Sequence, residues 1–188
     1  MKKFINQLKP ELKTGDLIMT NYLLSIDPSI KNTGFTLWKK VYLHDKYDFW
    51  NWKPIFVKSY NLKEYDGQRK FYWDIKVNDN ELDLIIERGT FNSKNGIGYE
   101  NQEHLRGFIA GQFNKLLTKD MLISPSEWKK WYERYDPPIF WLRPWDKELS
   151  IYVAEEIIKE NNWNIKISNH DEADSLLIGW YYLNKENK

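Results

Sequence analysis

The chain has 188 residues with a formal net charge of +1, no cysteine, 10 Trp and 12 Tyr, and aromatic residues make up 16% of it. One domain of this length removes roughly 70% of its unfolded surface from water. The near-zero charge excludes a globally basic nucleic-acid coat but permits a basic face balanced by acids elsewhere, and the lack of cysteine excludes disulfides, zinc-thiolate sites and cysteine nucleophiles.

Residues 1–20 are polar, contain Pro10 and Gly15, and read as an N-terminal arm. Lys2 and Lys3 resemble a signal n-region, but Asn6, Gln7 and Lys9 interrupt any apolar continuation. No run approaches the ~18 apolar residues of a membrane span, so a soluble, cytoplasmic protein that meets no membrane is expected.

The first structured element is Leu23-Leu24-Ser25-Ile26, an apolar strand that stops at Asp27. Pro28, Ser29, Asn32 and Gly34 supply turn chemistry, and Phe35-Thr36-Leu37-Trp38 forms the returning strand of a hairpin, with Gly34 expected to allow its tight twist. Tyr42 to Trp52 reads as an aromatic and charged loop, and Lys53 to Tyr60 as a third strand. A helix is expected from Asp66 through Ile75, stopped by Asn78-Asp79-Asn80. Leu82-Asp83-Leu84-Ile85-Ile86 is the strongest buried strand, and it ends in Glu87.

A glycine-punctuated loop from Gly89 to Gly98 leads into a helix from Tyr99 to Leu117, where Leu105, Phe108, Ile109, Gln112, Phe113 and Leu116 recur at helical spacing. Met121-Leu122-Ile123 is a short strand, Ser124-Pro125-Ser126-Glu127 opens a helix, and Pro137-Pro138 marks an irregular connection. Two helices, about 146 to 161 and 170 to 184, finish the chain. A hairpin followed by strands alternating with helices predicts an α/β fold, a mixed sheet covered by helices over residues 21–188.

Asp27 and Glu87 each end a buried strand at its carboxyl end, where ligand sites of open α/β sheets gather. Asp171 and Asp174 lie three apart on one face of the last helix. Acids so grouped repel one another unless something neutralises them, and a divalent cation does so most simply. An all-oxygen donor set suits magnesium or manganese rather than zinc. Helix capping is the other explanation open for Asp171.

Three motifs, "IDPSIKNTGF", "LIIERGTF" and "HDEADSLLIG", taken in this order, resemble those of the RuvC family of Holliday junction resolvases, nucleases of the RNase H-like superfamily, and the relatives it has in viruses and phages. The resemblance spans about residues 22 to 184. It implies a five-stranded mixed RNase H-like sheet flanked by helices, and a metal-dependent endodeoxyribonuclease that nicks Holliday junctions or other branched DNA. It implies catalytic, metal-holding roles for Asp27, Glu87, Asp171 and Asp174, with two Mg2+ per site (Mn2+ as substitute) and no small-molecule cofactor.

The loop Phe91-Asn92-Ser93-Lys94-Asn95 is similar to the family's base-contacting loop, with Phe91 against unpaired bases and Lys94 and Asn95 beside it. Phe91 sits one residue further from the glutamate than the family pattern, and Ser29 stands where many members have Gly. Lys94, Arg106, Lys129, Lys130 and Lys147 are the expected phosphate contacts. A four-way junction needs two symmetric nicks, which implies a homodimer. The helix carrying Leu105, Phe108, Ile109 and Phe113 is its expected interface, with Gly107 and Gly111 permitting close approach. A general flap or branched-DNA nuclease, a hydrolase of another nucleic acid, and a non-catalytic junction-binding protein remain open at this point.

Overall fold

A computed structural model describes residues 21–29, 31–43, 49–89, 96–135 and 144–186. Five strands, β1 (Tyr22–Asp27), β2 (Thr33–Leu43), β3 (Phe49–Tyr60), β4 (Leu82–Glu87) and β5 (Leu122–Ile123), form one sheet in the order β3-β2-β1-β4-β5. The first three pair antiparallel, and β4 and β5 join parallel to β1. Among the described residues five α-helices accompany them: α1 (Tyr65–Asp74), α2 (Gly96–Gln112), α3 (Pro125–Tyr135), α4 (Lys147–Glu160) and α5 (His170–Asn184). This is a five-stranded mixed sheet flanked by helices, the α/β arrangement expected from the sequence.

β1 is central and buried on both faces, as parallel-paired strands under two helix layers are. Leu23, with Trp38, Ile85, Ile123, Trp128 and Leu176, belongs to the core beneath α3, α4 and α5. Leu24 and Ile26, with Phe35, Leu84, Ile86, Ile109 and Phe113, belong to the core beneath α1 and α2. Because side chains alternate along a strand, Asp27 and Glu87 both fall on the α5 side. The register Ile26↔Ile86 brings these two strand-end residues side by side.

Two sequence expectations about the elements change. The stretch expected as a loop from Tyr42 to Trp52 is strand at both of its ends, because β2 runs on to Leu43 and β3 starts at Phe49, while residues 44–48 lie outside the described residues. Val41, Tyr42, Phe49 and Trp50 are β-branched or aromatic, and this propensity outweighs the charges between them. The ladder shifts between Leu37 and Trp38: Leu37 pairs with Phe56 and Trp38 with Pro54, leaving Ile55 as the extra residue of a bulge on this edge strand. The helix expected from Tyr99 to Leu117 starts earlier and stops at Gln112, and Asn114 adopts a positive φ of 51° just past its end.

The expected interface stripe on α2 is also revised. Ile109 (0% exposed) and Phe113 (6%) pack into the chain's own core, where the apolar face of α2 covers the sheet. Phe108 is exposed, and Gly107 and Gly111 face open space. No helix among the described residues is long and apolar enough to cross a membrane.

Candidate active site

Close packing of α5 on the hairpin builds the site. Gly34 lies opposite Asp27 in the β1–β2 register, and a Cβ there would sit 1.9 Å from the Asp171 carbonyl oxygen. One turn on, Ser175 Oγ lies 2.8 Å from Thr36 Oγ1, and Ser25 Oγ donates to the Ser175 carbonyl at 2.7 Å. At Gly179 a Cβ would meet Trp38 Nε1 at 2.2 Å. Residues 171, 175 and 179 thus form the face of α5 that presses on the sheet. Gly34 is needed for this approach and not for hairpin twist, since no glycine among the described residues has a positive φ.

The helix start is held separately. Asn169 caps α5 by accepting from the Glu172 N–H at 3.0 Å, and its amide donates to Ser59 Oγ at 2.8 Å. Ser59 donates to Glu172 Oε1 at 3.2 Å, and Glu172 Oε2 accepts from the Ser168 N–H at 2.8 Å. These bonds clasp the first turn of α5 to β3. Asn169 does the capping, so capping does not account for the acid at Asp171.

The four acids meet here. Burial, and then the carboxylates of Glu87, Asp174 and Asp171, push the Asp27 carboxyl well above the usual carboxylate range. Glu87 is raised by burial, offset in part by a hydrogen bond from Trp128. Asp174 is raised by burial, offset by the Ser150 hydroxyl and the Lys129 charge, and Asp171 by burial, offset by His170 and Lys147. The closeness of Asp27 and Glu87 raises the Asp27 carboxyl further and offsets part of the rise at Glu87.

Among the described residues, no three His, Asp or Glu side chains are grouped so as to hold one metal ion. The chemistry of the donors nevertheless fits a hard divalent cation. All four groups offer oxygen only. Asp174 Oδ1 is buried without a hydrogen-bond partner, an acceptor left for a cation or water.

Glu87 is also held through its backbone, and Arg106 does this. Its guanidinium is 1% exposed, donates from Nε to the Glu87 carbonyl at 2.8 Å and pairs with Glu103 Oε1 at 2.7 Å. The Gly89 backbone passes so near that a Cβ would lie 2.8 Å from it. Arg106 is therefore no phosphate contact: buried and twice bonded, it cannot reach DNA. Lys129 and Lys147 do lie beside the acids, whose ionisation they favour. Lys130, the neighbour of Lys129 on α3, is exposed to solvent. Phe91, Lys94 and Asn95 lie outside the described residues, as do the arm and Pro137-Pro138.

Sequence reasoning missed Trp128, which donates from Nε1 to Glu87 Oε1 at 2.9 Å. The one available signal was that a buried indole N–H takes a partner; the sequence does not say which.

No protein-family model matches the chain, and no curated protein sequence matches it. Among solved structures it is similar to the fowlpox virus resolvase in complex with its substrate Holliday junction DNA, at 19% identity and a TM-score of 0.49, covering 89% of this chain and 99% of that one. It is also similar to Thermus thermophilus RuvC in complex with a Holliday junction substrate, at 10% identity and a TM-score of 0.48, covering 88% of this chain and 96% of that one. For T. thermophilus RuvC by itself the figures are 11%, 0.49, 88% and 96%.

Proposed function

We propose that the protein is a metal-dependent endodeoxyribonuclease that resolves Holliday junctions, or closely related branched DNA, by paired nicks leaving 5′-phosphate and 3′-hydroxyl ends. One observation carries this reading: Asp27, Glu87, Asp171 and Asp174, from three separate elements, converge at the carboxyl ends of β1 and β4, where buried Asp27 feels the charge of the other three. Four such acids destabilise the fold unless they serve a ligand. Their order along the chain, in motifs resembling the RuvC family, supplies the substrate class.

Asp27, Glu87, Asp171 and Asp174 would hold the cations. Two bound divalent ions, magnesium or manganese, supply a nucleophilic water and stabilise the leaving 3′ oxygen of an in-line displacement. The remaining work falls to the chain. The clasp from β3 fixes where α5 presents its two acids, and Arg106 fixes the end of β4. Lys129 and Lys147 offset the repulsion between the acid cluster and the DNA backbone. No covalent nucleophile is required of the protein.

Two nicks across a junction of approximate two-fold symmetry call for two active sites, and a second copy of this chain is the proposed partner. The outer surface of α2 around Gly107, Phe108 and Gly111 remains available for it. Phe108→Asp should then give a folded monomer by light scattering that no longer makes paired cuts. Wild-type protein that stays monomeric at micromolar concentration while resolving junctions would refute the dimer.

The function is tested with labelled four-way junction, flap, fork, duplex and RNA–DNA hybrid, each with Mg2+ or with EDTA. Paired nicking of the junction in Mg2+ alone is the expected result. Equal cleavage of flap and junction would make the protein a general branched-DNA nuclease. Binding of the junction without cleavage in either Mg2+ or Mn2+ would make it a junction-binding protein, and full activity in EDTA would overturn the metal mechanism.

A further inference from the structure

Glu87 is gripped at both ends. Arg106 holds its carbonyl from α2, and Trp128 holds its carboxylate from α3, an element that contributes no acid to the cluster. Trp128 is fully buried (0% exposed) and tightly seated. Trp145 meets it edge to face at 5.2 Å and 90°, and Tyr132 does so at 6.1 Å and 83°. The Tyr132 hydroxyl donates to the Leu177 carbonyl at 2.7 Å, tying α3 to the helix that bears Asp171 and Asp174.

The second indole of the pair is bonded elsewhere: Trp145 Nε1 donates to Ser150 Oγ at 2.9 Å, and the Ser150 hydroxyl donates to the Asp146 carbonyl at 3.3 Å, at the start of α4. Of the two packed rings, Trp128 alone aims its N–H at an acid of the cluster, while Trp145 braces it from the α4 side.

The choice of indole has a physical consequence. Its N–H is a donor only and does not titrate. It occupies one lone pair of Oε1 and fixes the carboxylate rotamer without supplying the positive charge that would compete with a cation. A Lys or His in the same place would neutralise the ligand. The rotamer freedom that a free Glu would lose on taking up an ion is already lost in the fold.

We infer that Trp128 is a positioning residue, whose indole N–H holds the Glu87 carboxylate in the orientation that receives a divalent cation. The inference rests on the metal-holding reading of the four acids. Groups that orient ligand carboxylates typically account for about 10–100-fold in metal affinity or activity.

Trp128→Phe removes the N–H and keeps an aromatic ring. Trp163→Phe serves as the matched loss in the same core, since Trp163 packs on Trp38 and Trp180 instead. Three quantities are measured: Mn2+ affinity by titration calorimetry without DNA, melting temperature in EDTA, and kcat and KM on a junction in Mg2+.

Trp128→Phe should weaken Mn2+ binding about 10-fold or more and lower kcat similarly, with KM for DNA little changed. Trp163→Phe should lower the melting temperature while Mn2+ affinity stays at the wild-type value. Wild-type Mn2+ affinity in Trp128→Phe, or an equal loss in both variants, would overturn the inference. If Trp128→Phe does not fold, benzothienylalanine placed at 128 keeps the bicyclic shape without the N–H, and the same loss of Mn2+ affinity is expected of it.

A wild-type protein that binds no Mn2+ would refute both the metal reading and this inference. One that binds Mn2+ yet cuts no nucleic acid would refute the nuclease reading alone, and the calorimetry would still decide the role of Trp128.

Discussion

The two faces of the sheet are built from different chemistry. Beneath α1 and α2 the core is hydrocarbon: Phe35 stacks on Phe71 at 4.3 Å, Phe71 meets Phe113 edge to face at 5.7 Å, and Leu24, Ile26, Leu84 and Ile86 fill the remainder. Beneath α5 the same strands present Ser25, Thr36, Asp27 and Glu87, and the helix answers with Ser175, Asp171 and Asp174. One strand serves both layers because its side chains alternate. The comparison separates roles: the α1–α2 face stabilises the molecule through burial, and the α5 face spends stability to keep acids together in a low-dielectric place.

The largest effect should come from breaking the acid face. Asp27→Asn, Glu87→Gln or Asp174→Asn should each lower junction cleavage by about 10³-fold or more, equivalent to roughly 4 kcal/mol of transition-state stabilisation. Junction binding in gel shift should be unchanged or tighter, because negative charge near phosphate is removed. Phe71→Ala on the opposite face should do the reverse, costing about 3–5 kcal/mol of stability while molecules that remain folded cleave normally. An acid variant that cuts at the wild-type rate would remove that residue from the site.

A smaller effect tests the contact between sheet and helix. Gly34→Ala drives a methyl group into the Asp171 carbonyl, where both partners are backbone and neither can swing away. It should destabilise by about 1–3 kcal/mol and lower cleavage more than stability alone explains, as α5 moves off β2. Gly107→Ala, whose added methyl meets nothing within its own chain, should raise the melting stability of the monomer by about 0.5–1 kcal/mol through helix propensity.

The smallest effect is electrostatic and reads out in pH. The pKa values of Asp27 and Glu87 are raised by folding, so the folded state holds protons more tightly than the unfolded chain. Their stabilising contribution is present below the unfolded carboxylate range, near about pH 4, and is lost as pH rises through the raised folded values. Metal-free protein should therefore melt at progressively lower temperature as pH rises from about 5 to about 8 in EDTA, and Mg2+ should remove the slope. Asp27→Asn should flatten the slope and raise the metal-free melting temperature at about pH 8, with about 2–4 °C corresponding to each kcal/mol. A flat profile for the metal-free wild type would mean that the acids do not share their site as described.

Much of this was legible in the chain, for local reasons. Strand β4 shows as an apolar run ending in Glu87, and the Asp-x-x-Asp spacing on α5 places two acids on a helix without any tertiary information. Arg106 was misread because a charged residue on a helix ordinarily faces solvent, and nothing nearby in sequence reveals that the Glu87 carbonyl waits for it. Trp128 was hidden in a segment whose two lysines suggested a basic surface. Ile109 followed the apolar period of α2 correctly, but periodicity reports that a face is buried and does not say whether the cover is the chain's own sheet or a second copy.

The sequence by itself determined the alternation along β1 and β4, the turn after Asp27 and the placing of four acids at element ends, because these depend on side-chain period and on interactions a few residues apart. Only the tertiary structure decided that residues 27, 87, 171 and 174 share one place, that Gly34 makes room for α5, and that the buried donors Arg106 and Trp128 hold Glu87. Those outcomes depend on strand order and on how closely a helix can approach a sheet, which are settled by packing between segments far apart in the chain.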